Sequence, residues 1–261
     1  MEAEMDFARR FGGVARLYGA PALARFAASH VCVVGIGGVG SWAAEALARS
    51  GIGRISLIDL DHVAESNTNR QIHALEGEFG KAKVQAMAQR IRAINPACQV
   101  AEIEEFVAPD NVSQLLPPCD AVLDAIDSVR AKAALIAHCR DAGIMIVTTG
   151  GAGGRRDPTR IRIADLARTQ QDALAASLRA RLRKEHGFPR DPKQNFGVAC
   201  AFSDEPIVRP ASAAPACDID ETHGNAVPQG LNCAGYGSAV TVTAGFGLAA
   251  AACVLDRLAL G

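Results

Sequence analysis

The stretch Val31–Gly40, VCVVGIGGVG, decides the fold. Cys32, Val33 and Val34 form a short apolar run with β-branched residues. Gly35, Gly37, Gly38 and Gly40 follow, and a helix opens at Ser41 and continues through the helix-forming run WAAEALARS to end at Gly51. The order is strand, glycine turn, helix. Glycines let the backbone turn sharply and approach a phosphate, while the unbonded N–H groups at a helix start offer partial positive charge to an anion. A glycine pattern by itself fits any tight turn; the strand before it and the helix after it favour a mononucleotide-binding α/β unit.

Downstream, Arg54 to Leu60 (RISLIDL) reads as a second parallel strand that ends in Asp59 and Asp61. An acidic residue at that place, here Asp59 in preference to Asp61, is positioned to bond a ribose hydroxyl. A dinucleotide dehydrogenase would fit equally well up to this point. The next segment separates the readings: Asn67, Thr68, Asn69, Arg70 and Gln71 precede a helix expected over Lys81 to Ile94, with Lys81 and Lys83 near its start. Lysines oppose the dipole there, so an external anion is expected to neutralise them. Two solvated lysines are the bland alternative, but Arg70 just upstream points to a triphosphate. Residues 100–106 and 120–126 read as third and fourth strands, the latter delivering Asp124 and Asp127 to its C-terminal end, where open parallel sheets bind ligands. Asp127 is thereby a candidate magnesium ligand beside phosphates; its alternative role is to cap the helix Ser128 to Asp141, which Ser128 could also do. Residues 144–149 make a fifth strand, and Gly150, Gly151, Gly153 and Gly154 a second flexible turn. Upstream of the first strand, residues 10–19 (RFGGVARLYG) read as a loop, followed by a short helix over ALARFAA.

Composition bounds the function. At 261 residues the chain is long enough for one large α/β domain or two small ones, and 49% hydrophobic with 21% charged residues says that it is folded, not disordered. A formal net charge of −1 gives the whole molecule no attraction for nucleic acid, and DNA is not an expected partner. The charge is uneven, however: residues 150–195 hold 11 Lys+Arg against 5 Asp+Glu. Arg155, Arg156, Arg160 and Arg162 lie near a strand, and Arg179, Arg181, Arg183 and Lys184 on a helix; they are candidate RNA contacts, with a solvated helix face as the alternative. Eight cysteines never fall as Cys-x-x-Cys, so no zinc is expected. The N-terminal MEAEMDFARRFGG lacks a signal-peptide core, and a reducing cytoplasm is the simplest location. Ala234 to Leu255 is free of charge and long enough to span a bilayer, but it is rich in Ala, Gly, Ser and Thr, so a core or dimer-interface helix is expected instead of a membrane span. Residues 203–230 should form an exposed loop containing Cys217.

The segments GIGGVGSWAAEALARSGIG, LIDLDHVAESNTNRQIHAL, GKAKV, DAIDSVRAKAALIAHC and TTGGAGG together resemble the ubiquitin-activating-type adenylyltransferases, a family that also serves molybdopterin and thiamine synthesis. RFGG with RLYG, NTNRQIHAL, AIDSVRAKAALIA, TTGGAGG, DLART and NCAGYG resemble its bacterial branch that acts on threonylcarbamoyladenosine beside the tRNA anticodon. The resemblance implies a Rossmann-like, ubiquitin-activating-enzyme-like α/β fold with a mainly parallel sheet and flanking helices. It further implies one domain over 1–261: a nucleotide-binding part at about 30–154 and a basic, substrate- and dimer-forming part at about 155–261. By the same resemblance the activity is ATP-dependent dehydration through magnesium-ATP adenylation of the threonyl carboxylate, after which the neighbouring ureido group closes a ring. Gly35, Gly37, Gly38 and Gly40 would lie under the nucleotide, Asp59 or Asp61 at the ribose, Asn67, Arg70 and Lys83 at the phosphates, and Asp127 at the magnesium, with Arg70, Lys83 and Asp127 catalytic. An arginine reaching the partner's site in a homodimer would be Arg10 or Arg16. The alternative activity is activation of a ubiquitin-like sulfur carrier, with a cysteine desulfurase or other sulfur-transfer partner and Cys217 or Cys233 as thiol; a non-enzymatic alternative is a nucleotide sensor. Cyclisation needs no protein thiol, because the nucleophile belongs to the substrate.

Overall fold

The computed structural model describes residues 6–208 and 236–261. The first strand, β1 (His30–Val34), is buried along its whole length, as expected of a central parallel strand covered on both faces. Around it lie β2 (Arg54–Ile58), β3 (Gln99–Ile103), β4 (Ala121–Asp124), β5 (Met145–Thr149), β6 (Ile161–Asp165) and β7 (Ala199–Ser203), in the order β3-β2-β1-β4-β5-β7-β6. All neighbours pair parallel except β6 with β7. The five strands read from the sequence are thus present and parallel, in a Rossmann-like sheet.

Alternation along β1 splits the core. Val31 and Val33 face a layer built by α1 (Phe7–Tyr18), α2 (Ala20–Ala28), α3 (Gly40–Arg49), α4 (Lys83–Ile94) and α8 (Val240–Leu260). Cys32 and Val34 face a layer that includes α5 (Val112–Leu115), α6 (Val129–Ala142) and α7 (Ala173–Glu185). The apolar C-terminal segment is a core helix: half of its most hydrophobic window is buried, and Phe246, Ala250, Ala251 and Val254 are fully covered.

Two expectations for local structure are corrected. Residues 10–18 are helical in α1, not a loop: Asp6 caps the helix by accepting the Arg9 N–H at 2.8 Å, and burial of Phe11, whose ring packs tilted against Phe7 at 4.8 Å between centroids, offsets the helix cost of Gly12 and Gly13. The strand β7 was not foreseen; ACAFS is too short and too flatly apolar to show a period.

Candidate functional site

The sheet reverses its order between β1 and β4, and the crevice beyond their C-terminal ends is where ligands of such sheets bind. A cavity of about 300 Å³ lies there, lined by the glycine turn, Asp59, Arg70, Lys83 and Asp127. Two glycines build the turn. Gly35 has φ +86°, and a Cβ on it would come within 2.9 Å of Ile126; a Cβ on Gly40 would lie 1.8 Å from the Gly35 carbonyl oxygen. Gly37 has nothing within 4 Å of where a Cβ would be, so its missing side chain leaves room on the cavity side. The Arg70 chain crosses Gly38 so closely that a Cβ there would meet its Cγ at 3.1 Å.

Asp59 follows β2 and ties it to the turn by accepting the Ile36 N–H at 2.5 Å and the Asp61 N–H at 2.9 Å. Burial raises its pKa, against the pull of Lys83 and those two N–H groups. Lys83 opens α4, is buried, and its ammonium pairs with the exposed Asp61 at 2.6 Å. Asn67 is buried, and its side-chain oxygen accepts the Ala64 N–H at 3.1 Å, shaping the turn before Arg70. Arg70 donates to the Ser66 carbonyl at 2.7 Å and to Asn69 at 2.9 Å, while its own carbonyl accepts the Trp42 indole N–H at 3.0 Å. Asp127 sits at the rim; burial raises its pKa first, Lys132 opposes this, and Asp61 adds to the rise. Ser128, which precedes α6, makes no side-chain cap, and neither does Asp127.

Several sequence readings are corrected by this geometry. Lys81 does not await an external anion: Glu78 neutralises it at 2.9 Å. Asp124 does not reach the crevice. It is fully buried, accepts the Thr148 hydroxyl at 2.6 Å and pairs with Lys132 at 3.0 Å. Arg155 cannot contact RNA. It is 3% exposed, donates to the carbonyls of Gly151, Gln171, Ser203 and Glu205 at 2.6–3.0 Å, and lies 3.4 Å from Asp172. The physical cause is a cluster of carbonyls converging beside the second glycine turn, which a five-donor guanidinium can serve together. Arg156 is exposed, whereas Arg179, Arg181 and Arg183 are half-buried. Arg179 donates to the Thr169 hydroxyl, Arg181 faces Glu185 at 3.6 Å, and Arg183 donates to the Pro189 carbonyl and covers the Phe196 ring at 5.2 Å. Cys217 and Cys233, with most of the loop expected over 203–230, lie outside the described residues.

The sequence reading missed Lys132, visible only as a lysine inside the apolar run AKAALIA, and Phe106, a 58% exposed aromatic that lines the cavity just past β3. Among the described residues, no group of three or more His, Cys, Asp or Glu could hold a metal by protein ligands alone.

The fold and this cavity define a nucleotide-binding α/β protein. The chain matches the ThiF family over residues 11–258 and belongs to that family. It is 55% identical over 252 residues to tRNA threonylcarbamoyladenosine dehydratase of Escherichia coli, spanning 96% of this chain and 93% of that one. The Haemophilus influenzae protein of the same name is 46% identical, over 97% and 94% of the two chains. The solved structure of the Escherichia coli enzyme in complex with ATP has a TM-score of 0.86 at 51% identity and covers 99% of this chain and 97% of its own; the complex with AMP gives 0.85.

Proposed function

We propose that this protein is an ATP-dependent enzyme that dehydrates threonylcarbamoyladenosine in tRNA by adenylating its carboxylate. The observation that carries the reading is the set of Arg70, Lys83 and Asp127 around an open glycine turn, in a chain 55% identical to a dehydratase of that name. The substrate carboxylate attacks the α-phosphorus and pyrophosphate leaves. The neighbouring ureido group then attacks the activated carbonyl carbon and closes a ring, a ureido proton is lost, and AMP departs. Oxide, a poor leaving group, is thus replaced by AMP, and the nucleoside loses one water whose atoms end in AMP and pyrophosphate.

In this scheme the glycine turn and the start of α3 receive the phosphates, and Asp59 accepts from a ribose hydroxyl. Arg70 and Lys83 stabilise charge at the transferring phosphorus in a site that is already organised. Lys83 is held by Asp61 in the structure, so a phosphate competes with an exposed carboxylate for a buried ammonium and leaves Asp61 unpaired. The donor set fits magnesium: Asp61 and Asp127 repel each other at one rim, and this ion prefers one or two carboxylates with phosphate oxygens. Bound there by Asp127, with Asp61 beside it, magnesium would neutralise phosphate charge.

The same reading assigns residues 155–261 to tRNA and to a homodimer, as part of one domain with the nucleotide-binding region, and the cytoplasm as the site of work. Exposed Arg156 and Lys184, with Arg181, are its tRNA contacts. Of the two arginines that could reach a partner subunit, Arg10 is engaged at the Ile94 carbonyl at 2.5 Å, which leaves Arg16, exposed and without a hydrogen-bond partner among the described residues.

Incubation with ATP and tRNA bearing the threonylcarbamoyl group should give AMP, pyrophosphate and a nucleoside lighter by one water. Asp127→Ala should abolish product while leaving the folded spectrum intact; near-normal magnesium-dependent turnover by that variant would remove Asp127 from the site. Cys217→Ser and Cys233→Ser enzymes should still form the product. A thioester trapped on either cysteine, with product lost in its serine variant, would favour sulfur-carrier activation instead.

A further inference from the structure

Lys132 is fully buried in α6 and lies outside the cavity, yet every acceptor it meets belongs to the segment that leads from β4 into that cavity. Its ammonium pairs with the Asp124 carboxylate at 3.0 Å and donates to the carbonyls of Ile126 at 2.9 Å and Asp124 at 3.5 Å. Asp124 is held in turn by the Thr148 hydroxyl at 2.6 Å, and its other oxygen accepts the Ile126 N–H at 3.3 Å. Thr149 donates to the Asp124 carbonyl at 3.3 Å, and the Ala125 N–H to the Val34 carbonyl at 2.8 Å. The chain between Asp124 and Asp127 is therefore pinned from beneath by a single cation. Above it presses the glycine turn, so tightly that Gly35 cannot carry a Cβ without meeting Ala125 and Ile126.

A buried ion pair is an expensive way to stabilise a fold, because desolvating both charges cancels much of their attraction and apolar residues of equal volume often do better. Its merit is geometric. A lysine with three donors can fix two carbonyls and a carboxylate at once, which a leucine cannot.

We propose that Lys132 is a positioning residue: from inside the sheet it fixes the segment Ala125–Asp127 against the glycine turn and so sets where the Asp127 carboxylate stands relative to the nucleotide. The proposal rests on the adenylation reading given above. Misplacing a reacting group by about 1 Å costs on the order of 100-fold in rate, so an anchor beneath the segment is worth such a factor without touching substrate.

The test uses the neutral pair D124N/K132M, since Lys132→Met alone strands a buried carboxylate. Amide hydrogen exchange at Ile126 and Asp127 should be at least tenfold faster than in the wild type, while exchange along β1 is unchanged. Single-turnover AMP formation should fall at least tenfold with KM for tRNA within about twofold, and adding Asp127→Asn to the neutral pair should cost far less than it costs the wild-type protein, as coupled groups require. Unchanged exchange at Ile126 and Asp127, or full additivity with Asp127→Asn at a near-normal rate, would overturn the proposal. A wild-type protein that forms no AMP with this tRNA would instead overturn the adenylation reading, and the exchange measurement would still decide the role of Lys132.

Discussion

The crevice cavity and the basic segment 150–195 both owe their interest to charged side chains, but the fold treats those side chains in opposite ways. Asp59, Arg70, Lys83 and Asp127 come from separate segments of the chain and converge on one cavity. The arginines of the basic segment disperse: Arg155 is buried, Arg168 clamps Pro192, Lys193 and Asn195, and Arg183 lies over Phe196. The difference teaches what each sequence signal contains. A residue just past a parallel strand is carried to the crevice by the topology itself, whereas a local charge excess fixes no direction. A long cation serves orphan carbonyls as readily as it serves phosphates.

The comparison breaks most sharply at Arg155. Removing one partner of a buried charged pair costs about 3–5 kcal/mol, so Arg155→Met should lower the midpoint of thermal unfolding by roughly 10 °C. Arg156→Ala, one residue away and exposed, should stay within about 0.5 kcal/mol of the wild type. Denaturant titrations of the two variants check this. An Arg155 variant as stable as wild type but defective in tRNA binding would return that residue to the basic surface.

Next in size is a pH effect inside the nucleotide half. His73 is 2% exposed, neither ring nitrogen has a hydrogen-bond partner among the described residues, and burial beside Lys83 and Arg90 lowers its pKa from 6.5 to about 4. The unfolded chain therefore binds a proton between these pH values that the folded chain refuses. Stability is full above pH 6.5, falls as the pH drops toward about 4, and loses about 3 kcal/mol by then from this group. Urea unfolding of His73→Leu at pH 7 and pH 4.5 should show a shallower decline than wild type. Equal slopes would mean that the imidazole titrates normally.

How much could be read from the sequence follows the same division. Val31–Gly40 showed both its elements and their place at the crevice, because the strand, the glycines and the helix each carry their own local signal. Asp59 and Asp127 were legible for the reason just given, that strand ends are addresses. Asp124 was misplaced by three residues of the same logic: it is still inside β4, where alternation turns it into the core toward Lys132. Lys132 itself could not be found, since its partners sit in β4 and the loop after it, and nothing in the run AKAALIA says whether a lysine faces water. The helical state of residues 10–18 was hidden by Gly12 and Gly13, whose cost is local and visible while the burial of Phe11 is tertiary and not.

The smallest expected effect bears on which cations of the basic segment touch RNA at all. Each cation taken away from a phosphate lowers the slope of log affinity against log salt by about 0.7 to 0.9, whatever the sequence of the RNA. Arg156 and Lys184 are exposed, and among the described residues Arg181 is tied by Glu185 at 3.6 Å, a surface pair of little strength. Each can turn to a phosphate at small cost, so neutralising them together should flatten the slope by one such step for every phosphate they reach. Arg168 and Arg183 are different, because leaving would strand the Pro192, Lys193 and Pro189 carbonyls that they now satisfy. Their alanine variants should weaken the fold locally and leave the salt slope where it was. Binding isotherms at several salt concentrations distinguish the two groups: a slope that responds equally to Arg183→Ala and Arg156→Ala would mean that local ties do not decide which arginines meet the tRNA, and charge density would then be the better guide.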